Sequence, residues 1–220
     1  PKETSSCTSE SYFSKKEKEV NTEDEVWAIL KPEDIWIYDK LILSKKLGYV
    51  CGPIGVDVPK PGWYIVRPIM NLMGLGFGAE RVWIDKDTDN LPIGYFWCEW
   101  FKGRHLSVDY RNKKPVLCVE GFKDPEELMY WDAWSKVDDF PALEKIVSFP
   151  TILNNIPYDY INCEFIGNKL IECQLRRNLD FQWDNSDFIP VWEDDNTQPP
   201  EDWKYVEYPD LHGRIGAFIK

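Results

Sequence analysis

Histidine is nearly absent from this chain of 220 residues; His105 and His212 are the only two, and they stand far apart. A histidine-rich metal site has little to build on, and Ser107 lies in no GxSxG context, which argues against nucleophilic hydrolysis. The six cysteines (Cys7, Cys51, Cys98, Cys118, Cys163, Cys173) form no CxxC pair. That argues against structural zinc and against a disulfide scaffold, and makes a reduced, cytoplasmic setting the expectation. No apolar run approaches the roughly 20 residues that span a bilayer, so no membrane association is expected. The opening PKETSSCTSESYFSKKEKEV is polar and mixed in charge, unlike a secretory signal. A Walker loop, GxxxxGK[ST], is also missing.

An excess of basic charge is lacking too. The net charge is −12, so a surface that grips a nucleic-acid backbone is not expected. Between Asp184 and Asp210 nine acidic residues face Lys204 alone. Such a run reads first as a solvated loop, and as a decoy for a basic partner in the alternative.

What is present is a core. Hydrophobic residues make up 43% of the chain, with 11 each of Trp, Tyr and Phe, enough for one compact domain or two small lobes. Residues 1–24 read as a flexible polar tail. DIWIYDKLILSKKLGY has helical spacing that stops at Gly48. GWYIVRPIM, ERVWID and GYFWCEWF read as strands, and RHLSVDYRN with KKPVLCVEGF as a strand pair. DPEELMYWDAWSKV and FPALEKIVSFPTIL read as helices, followed by a hairpin, an irregular acidic region and a terminal strand in RIGAFIK. Strands and helices alternate without a βαβ rhythm, which gives an α+β class.

The hairpin, NCEFIGNKLIECQLRRN, poses a problem. A three-residue loop at Gly167-Asn168-Lys169 gathers Cys163, Phe165, Ile171, Cys173 and Leu175 on one apolar face. It also sets Glu164 opposite Glu172 and Asn162 opposite Gln174, and facing like charges destabilise a sheet. A cation between the carboxylates resolves the conflict. Mg²⁺ takes oxygen ligands of this kind, with Gln174 as a third donor and Arg176 reaching phosphate. On repulsion alone, Glu164→Gln or Glu172→Gln is expected to be neutral or stabilising without metal.

Further cations lie upstream. Arg67 interrupts an apolar strand, and a buried guanidinium needs a partner or a ligand. Lys40 is a second candidate. Gly74, Gly76 and Gly78, in GLGFGA, either bring backbone N–H groups to a phosphate or form an ordinary hairpin loop.

In this order the motifs resemble the ATP-grasp superfamily of carboxylate–amine ligases. Asp39-Lys40 is similar to its aspartate–lysine signature, whose lysine reaches ATP phosphates. Arg67-Pro68 ahead of GLGFGA is similar to its second lysine and glycine loop, with arginine in place of lysine. CEWFKGRHLSVDY is similar to its hinge, which places Glu99, Trp100 and Phe101 at adenine and His105 where a ribose-binding glutamate is common. Glu164, then Glu172-Cys173-Gln174, then Arg176 is similar to the acidic strand, Glu-x-Asn and arginine that hold two Mg²⁺ ions.

The resemblance implies a two-lobed core with ATP between a small lobe (25–103) and a large lobe (104–220). It implies an ATP-dependent ligase that activates a carboxylate as an acyl phosphate for attack by an amine. Lys40, Arg67 and Arg176 would carry the catalysis, and Arg111 and Asn178 would orient the carboxylate or the metal shell. Family members have a whole domain ahead of the Asp-Lys signature, where 38 residues stand here; a protein partner supplying that domain is one expectation. An inactive nucleotide-binding or interaction module is the other reading.

Overall fold

The computed structural model describes residues 23–70, 74–124, 128, 130–138, 147–193, 197–211 and 213–220. The expected tail at 1–24 lies almost wholly outside them. Two antiparallel sheets with a few short helices make up the fold. The first sheet runs in the order β1-β4-β2-β3, from β1 (Cys51–Pro53), β2 (Gly62–Pro68), β3 (Glu80–Ile84) and β4 (Tyr95–Glu99). The second holds β5 (His105–Arg111), β6 (Lys114–Phe122), β7 (Ala133–Lys136), β8 (Tyr160–Ile166), β9 (Lys169–Gln174), β10 (Asp187–Trp192), β11 (Lys204–Leu211) and β12 (Arg214–Ile219). Its order is β11-β12-β10-β7-β6-β5-β8-β9.

The expected helix over DIWIYDKLILSKK is two elements. A 3₁₀ turn covers Pro32–Ile37 and α2 covers Lys40–Lys46, preceded in the chain by α1 (Glu23–Ile29). The break has a local cause: Asp39 is extended and its carboxylate accepts from the Ile42 N–H at 2.7 Å, which makes it an N-cap. Capping fixes where α2 begins and therefore where Lys40, its first residue, points. Gly48, with φ of 75°, ends the segment as the sequence suggested. Asp39→Ala is expected to cost about 1 kcal/mol in urea unfolding.

These helices pack on both sheets: Leu41 of α2 is buried with Phe96 and Cys98 of the first sheet, and the rest of their apolar face meets the second. Val26, Ile37, Tyr38 and Leu43 bury themselves with Leu106, Val108, Tyr110, Cys163, Cys173 and Leu175 of the second sheet. The first sheet has its own cluster of Val58, Tyr64, Val66, Ile84 and Trp97. Strand alternation in β5 is strict: Leu106, Val108 and Tyr110 enter the core, leaving His105, Ser107 and Asp109 on the opposite face.

Two other expectations fail. Residues 133–136, expected in a helix, form β7 because their backbone bridges β6 and β10. Pairing on both sides outweighs a local helical pattern. Two stretches of the segment read as an irregular acidic region form β10 and β11, whose apolar residues Phe188, Val191 and Val206 are buried. Residues 140–146 of the second expected helix lie outside the described residues; Thr151–Leu153 is a 3₁₀ turn.

The connection between the sheets packs on the hairpin. Gly103 has φ of 139°, and a Cβ there would come within 2.7 Å of the Gly167 Cα. The Gly167 N–H donates to the Arg104 carbonyl at 2.8 Å. Only glycine permits so close an approach in that conformation.

Candidate functional site

Residues of both sheets line one cavity of about 1370 Å³. Lys40, Arg67, Glu164, Glu172, Gln174 and Arg176 all border it. The structure thus gathers in one place the cations and carboxylates that the sequence singled out.

The hairpin solves its register by a device that the pattern did not reveal. Glu164 does face Glu172, and Asn162 faces Gln174. Yet the loop is the two-residue turn Gly167-Asn168, since Lys169 already pairs with Ile166. Gly167, with φ of 59°, suits the first central position of such a turn. A β-bulge reconciles the two: Phe165 pairs with Leu170, Glu164 with Glu172, and Ile171 is left over. Leu170 therefore takes the core place expected for Ile171, while Ile171 lines the cavity. Its carbonyl accepts from Arg67 Nη2 at 3.0 Å.

Each carboxylate has a hydrogen-bond donor of its own. Lys40, 5% exposed, donates from Nζ to Glu172 Oε2 at 2.6 Å. His105 donates from Nε2 to Glu164 Oε2 at 3.0 Å, with its ring edge-on to Trp131 and Trp134. Withdrawal from solvent alone would push the Glu164 carboxyl up; the hydrogen bond and charge of His105, then Lys40 and Arg176, outweigh it and hold it below its ordinary value. Gln174 donates to Glu172 Oε1 at 3.3 Å. Repulsion between the glutamates is answered without metal, so their replacement is expected to cost stability rather than be neutral.

Arg67, 9% exposed, lies over the Phe96 ring at 5.4 Å. Burial draws its guanidinium pKa down, and Glu172 is the largest opposing influence. Arg176 donates to the Arg177 carbonyl at 2.9 Å.

Sequence reasoning missed the layer beneath. Asn162 Nδ2 donates to Ser107 Oγ and to Asp109 Oδ1, each at 2.8 Å, and the Asn178 N–H donates to Asp109 Oδ1 at 2.9 Å. Asn178 Nδ2 reaches Ser107 Oγ at 3.1 Å. Burial pushes the Asp109 carboxyl up to about 6, against the lowering effect of these amides and of Arg176 and Arg177. The signal was the alternation of His105, Ser107 and Asp109 with core residues.

Other expected residues divide. Trp100 and Phe101 line the cavity, Trp100 under Arg81 at 5.1 Å and Phe101 edge-on to Tyr49 at 4.8 Å. Glu99 does not line it; its carboxylate accepts from the Val50 N–H at 3.0 Å. Gly74 and Gly76 border the cavity with φ of 68° and 67°, in a β2–β3 loop closed by bonds from Phe77 to Gly74 and from Ala79 to Gly76. Gly78 lies behind them, where a Cβ would meet Tyr95 Oη at 2.5 Å. Arg111 is exposed, over Tyr160 at 5.3 Å and away from the cavity, so its orienting role falls; Asn178 borders the cavity.

The donors suit a hard ion in one way only. Among the described residues no group of three or more His, Cys, Asp or Glu could hold a metal. Two carboxylates on one face with a neighbouring amide fit Mg²⁺, which is commonly held by one or two carboxylates together with substrate phosphates. Among the described residues no helix is long and apolar enough to cross a membrane. The five described cysteines are free, and Cys163 and Cys173 face each other in the core with sulfurs 3.8 Å apart.

No family model matches the sequence, and no curated protein does. Among solved structures the chain is similar to an ATP-grasp superfamily protein from Archaeoglobus fulgidus, with a TM-score of 0.53 and 15% identity. The match covers 83% of this chain and 64% of that one, so this chain spans less than two thirds of its neighbour. A second neighbour, the ATP-grasp ligase PsnB complexed with minimal precursor, is more distant: TM-score 0.42, 10% identity, covering 67% of this chain and 54% of that one. It carries no argument of its own. The likeness is one of fold: the two sheets of this chain are arranged similarly to those of an ATP-grasp superfamily protein.

Proposed function

We propose that this cavity is the reaction cleft of an ATP-dependent ligase, which activates a carboxylate as an acyl phosphate for attack by an amine. One observation carries the reading: Lys40 and Arg67 meet the facing carboxylates Glu164 and Glu172 around a single cavity. ATP supplies the phosphoryl group, and Mg²⁺, when bound, offsets the charge of its phosphates. Glu164, Glu172 and Gln174 would hold the ion. Lys40 and Arg67 take phosphate oxygens, helped by the N–H groups around Gly74 and Gly76. With an ion held at Glu172, Lys40 would be free to turn from that carboxylate to a phosphate oxygen.

Trp100 and Phe101 offer apolar surface to adenine. His105, oriented by Glu164, contacts ribose or accepts a proton from the amine. Arg176 holds the oxygen on which charge develops. Glu99 has no part in this reading, because its carboxylate is committed to Val50.

The second reading, a nucleotide-binding or interaction module without turnover, has one observation in its favour: Arg67 already donates to the Ile171 carbonyl. Calorimetry with ATP, with and without Mg²⁺, followed by ADP release with candidate acids and amines, separates the two. Metal-dependent binding with turnover supports the ligase, binding without turnover supports the module, and no heat in either condition rejects both. Lys40→Ala and Arg67→Ala are each expected to weaken Mg²⁺-ATP binding by about 1.5–3 kcal/mol. Unchanged affinity in folded Arg67→Ala protein would assign that side chain to holding the bulge alone.

A further inference from the structure

The cavity extends well past the carboxylates, along the second sheet to β12. There Arg214, 5% exposed, borders it between Tyr208 and Phe188, whose rings lie 4.4 and 5.6 Å from the guanidinium carbon. Its Nη1 donates to Asp180 Oδ2 at 3.1 Å, and Tyr208 Oη donates to Asp180 Oδ1 at 2.9 Å. Its Nε is buried and has no hydrogen-bond partner among the described residues. A guanidinium offers five N–H donors, and leaving one buried without an acceptor is costly. The rings and Asp180 hold the group in place but do not satisfy it. Neither the phosphate cations nor the metal ligands use it.

We propose that Arg214 is the anchor of a carboxylate-binding subsite, so that a substrate of this protein carries a carboxylate on an apolar body. This rests on reading the cavity as the reaction cleft, and three observations lead to it. The first is charge. Asp180 already balances Arg214, so a monoanion leaves the group of three at −1, whereas a phosphate dianion would leave it at −2 in a chain of net charge −12. The planar fork of arginine matches a carboxylate through paired hydrogen bonds.

The second is the wall. Trp134, Phe188, Pro190 and Trp192 border this end and suit an apolar body. The third is room and connection. About 1370 Å³ exceeds the roughly 300–1,000 Å³ of a one-ligand pocket, which leaves space beside a nucleotide. Asp180 lies two residues past Asn178, whose side chain accepts from the Asp180 N–H and whose own N–H holds Asp109. A ligand on Arg214 is thus registered against the layer beneath the carboxylates.

The test uses the full chain and 3-phenylpropionate, its amide and phenyl phosphate as probes, read by quenching of tryptophan fluorescence without nucleotide. The acid is expected to bind at least tenfold more tightly than the amide. Arg214→Gln is expected to abolish that preference and Arg214→Lys to retain part of it, with Mg²⁺-ATP affinity unchanged in both. Equal binding of acid and amide by the wild type overturns the proposal, as does a preference that survives Arg214→Gln. Tighter binding of phenyl phosphate than of the acid overturns the choice of carboxylate. If Arg214→Gln does not fold, the wild-type comparison and Arg214→Lys still decide. An acid preference in a protein that shows no heat with ATP supports the subsite and rejects only the ligase reading.

Discussion

Glu172→Leu is expected to lower the unfolding free energy of the ligand-free protein by about 3–5 kcal/mol. Lys40 and Glu172 form a 2.6 Å ion pair whose side chains are 6% and 13% exposed. Removing one partner leaves the other charge buried, and that desolvation cost dominates. Lys40→Met should therefore be costly too, while the double variant Lys40→Met/Glu172→Leu recovers most of the loss. Glu172→Gln should fall between, because its amide oxygen still accepts from Lys40.

Glu164→Gln should cost far less, about 1 kcal/mol, since His105 can stay neutral and still donate. Urea unfolding with unchanged m-values provides the measurement. A Glu172→Leu protein as stable as wild type would falsify the buried pair. Under the proposed function the same substitutions lower Mg²⁺-ATP turnover, so stability and activity must be measured separately.

Asp109→Asn is expected to change how stability depends on pH. The folded carboxyl titrates near 6 and its ordinary value is 3.8. Between these values the folded protein keeps a proton that the unfolded chain has released. Stability from this group is thus greatest at low pH, falls as pH rises from about 4 to about 6, and stays low above. The shift amounts to about 3 kcal/mol at 1.36 kcal/mol per unit. Asparagine cannot ionise, and its one oxygen can accept from both Asn162 and the Asn178 N–H, as Asp109 Oδ1 does. The variant should match the wild type near pH 4 and exceed it by up to about 3 kcal/mol at pH 7. Parallel unfolding curves at several pH values give the difference; a constant gap from pH 4 to 7 would exclude a raised pKa.

The two predictions differ in how far the sequence foretold them. Glu164 and Glu172 stand out by parity alone, and their facing positions follow from the flanking apolar residues. The bulge that makes those positions compatible with a two-residue turn leaves no local mark, because Leu170 and Ile171 are equally apolar. What separates them is Arg67, 104 positions upstream, whose guanidinium bonds the carbonyl of Ile171. Asp109 was overlooked for a related reason. One strand shows a polar residue between core residues, but only pairing with β8 and the return of Asn178 shows that the carboxyl is buried.

Local chemistry was enough for β2, β3 and β4, the β5–β6 pair, the stop at Gly48 and the candidate cations, since period, caps and charge act within a few residues of chain. It failed where partners come from afar. Residues 133–136 have a helical pattern until β6 and β10 pair on either side of them, and the acidic run after Asp184 becomes strand because β12 lies between β10 and β11. Lys40 and Glu172 are 132 positions apart, and no window of sequence states that one neutralises the other. Side-chain type and spacing decided which groups could do chemistry; sheet pairing and burial decided which of them meet, because the electrostatic cost that forces such groups together arises only after water has been excluded.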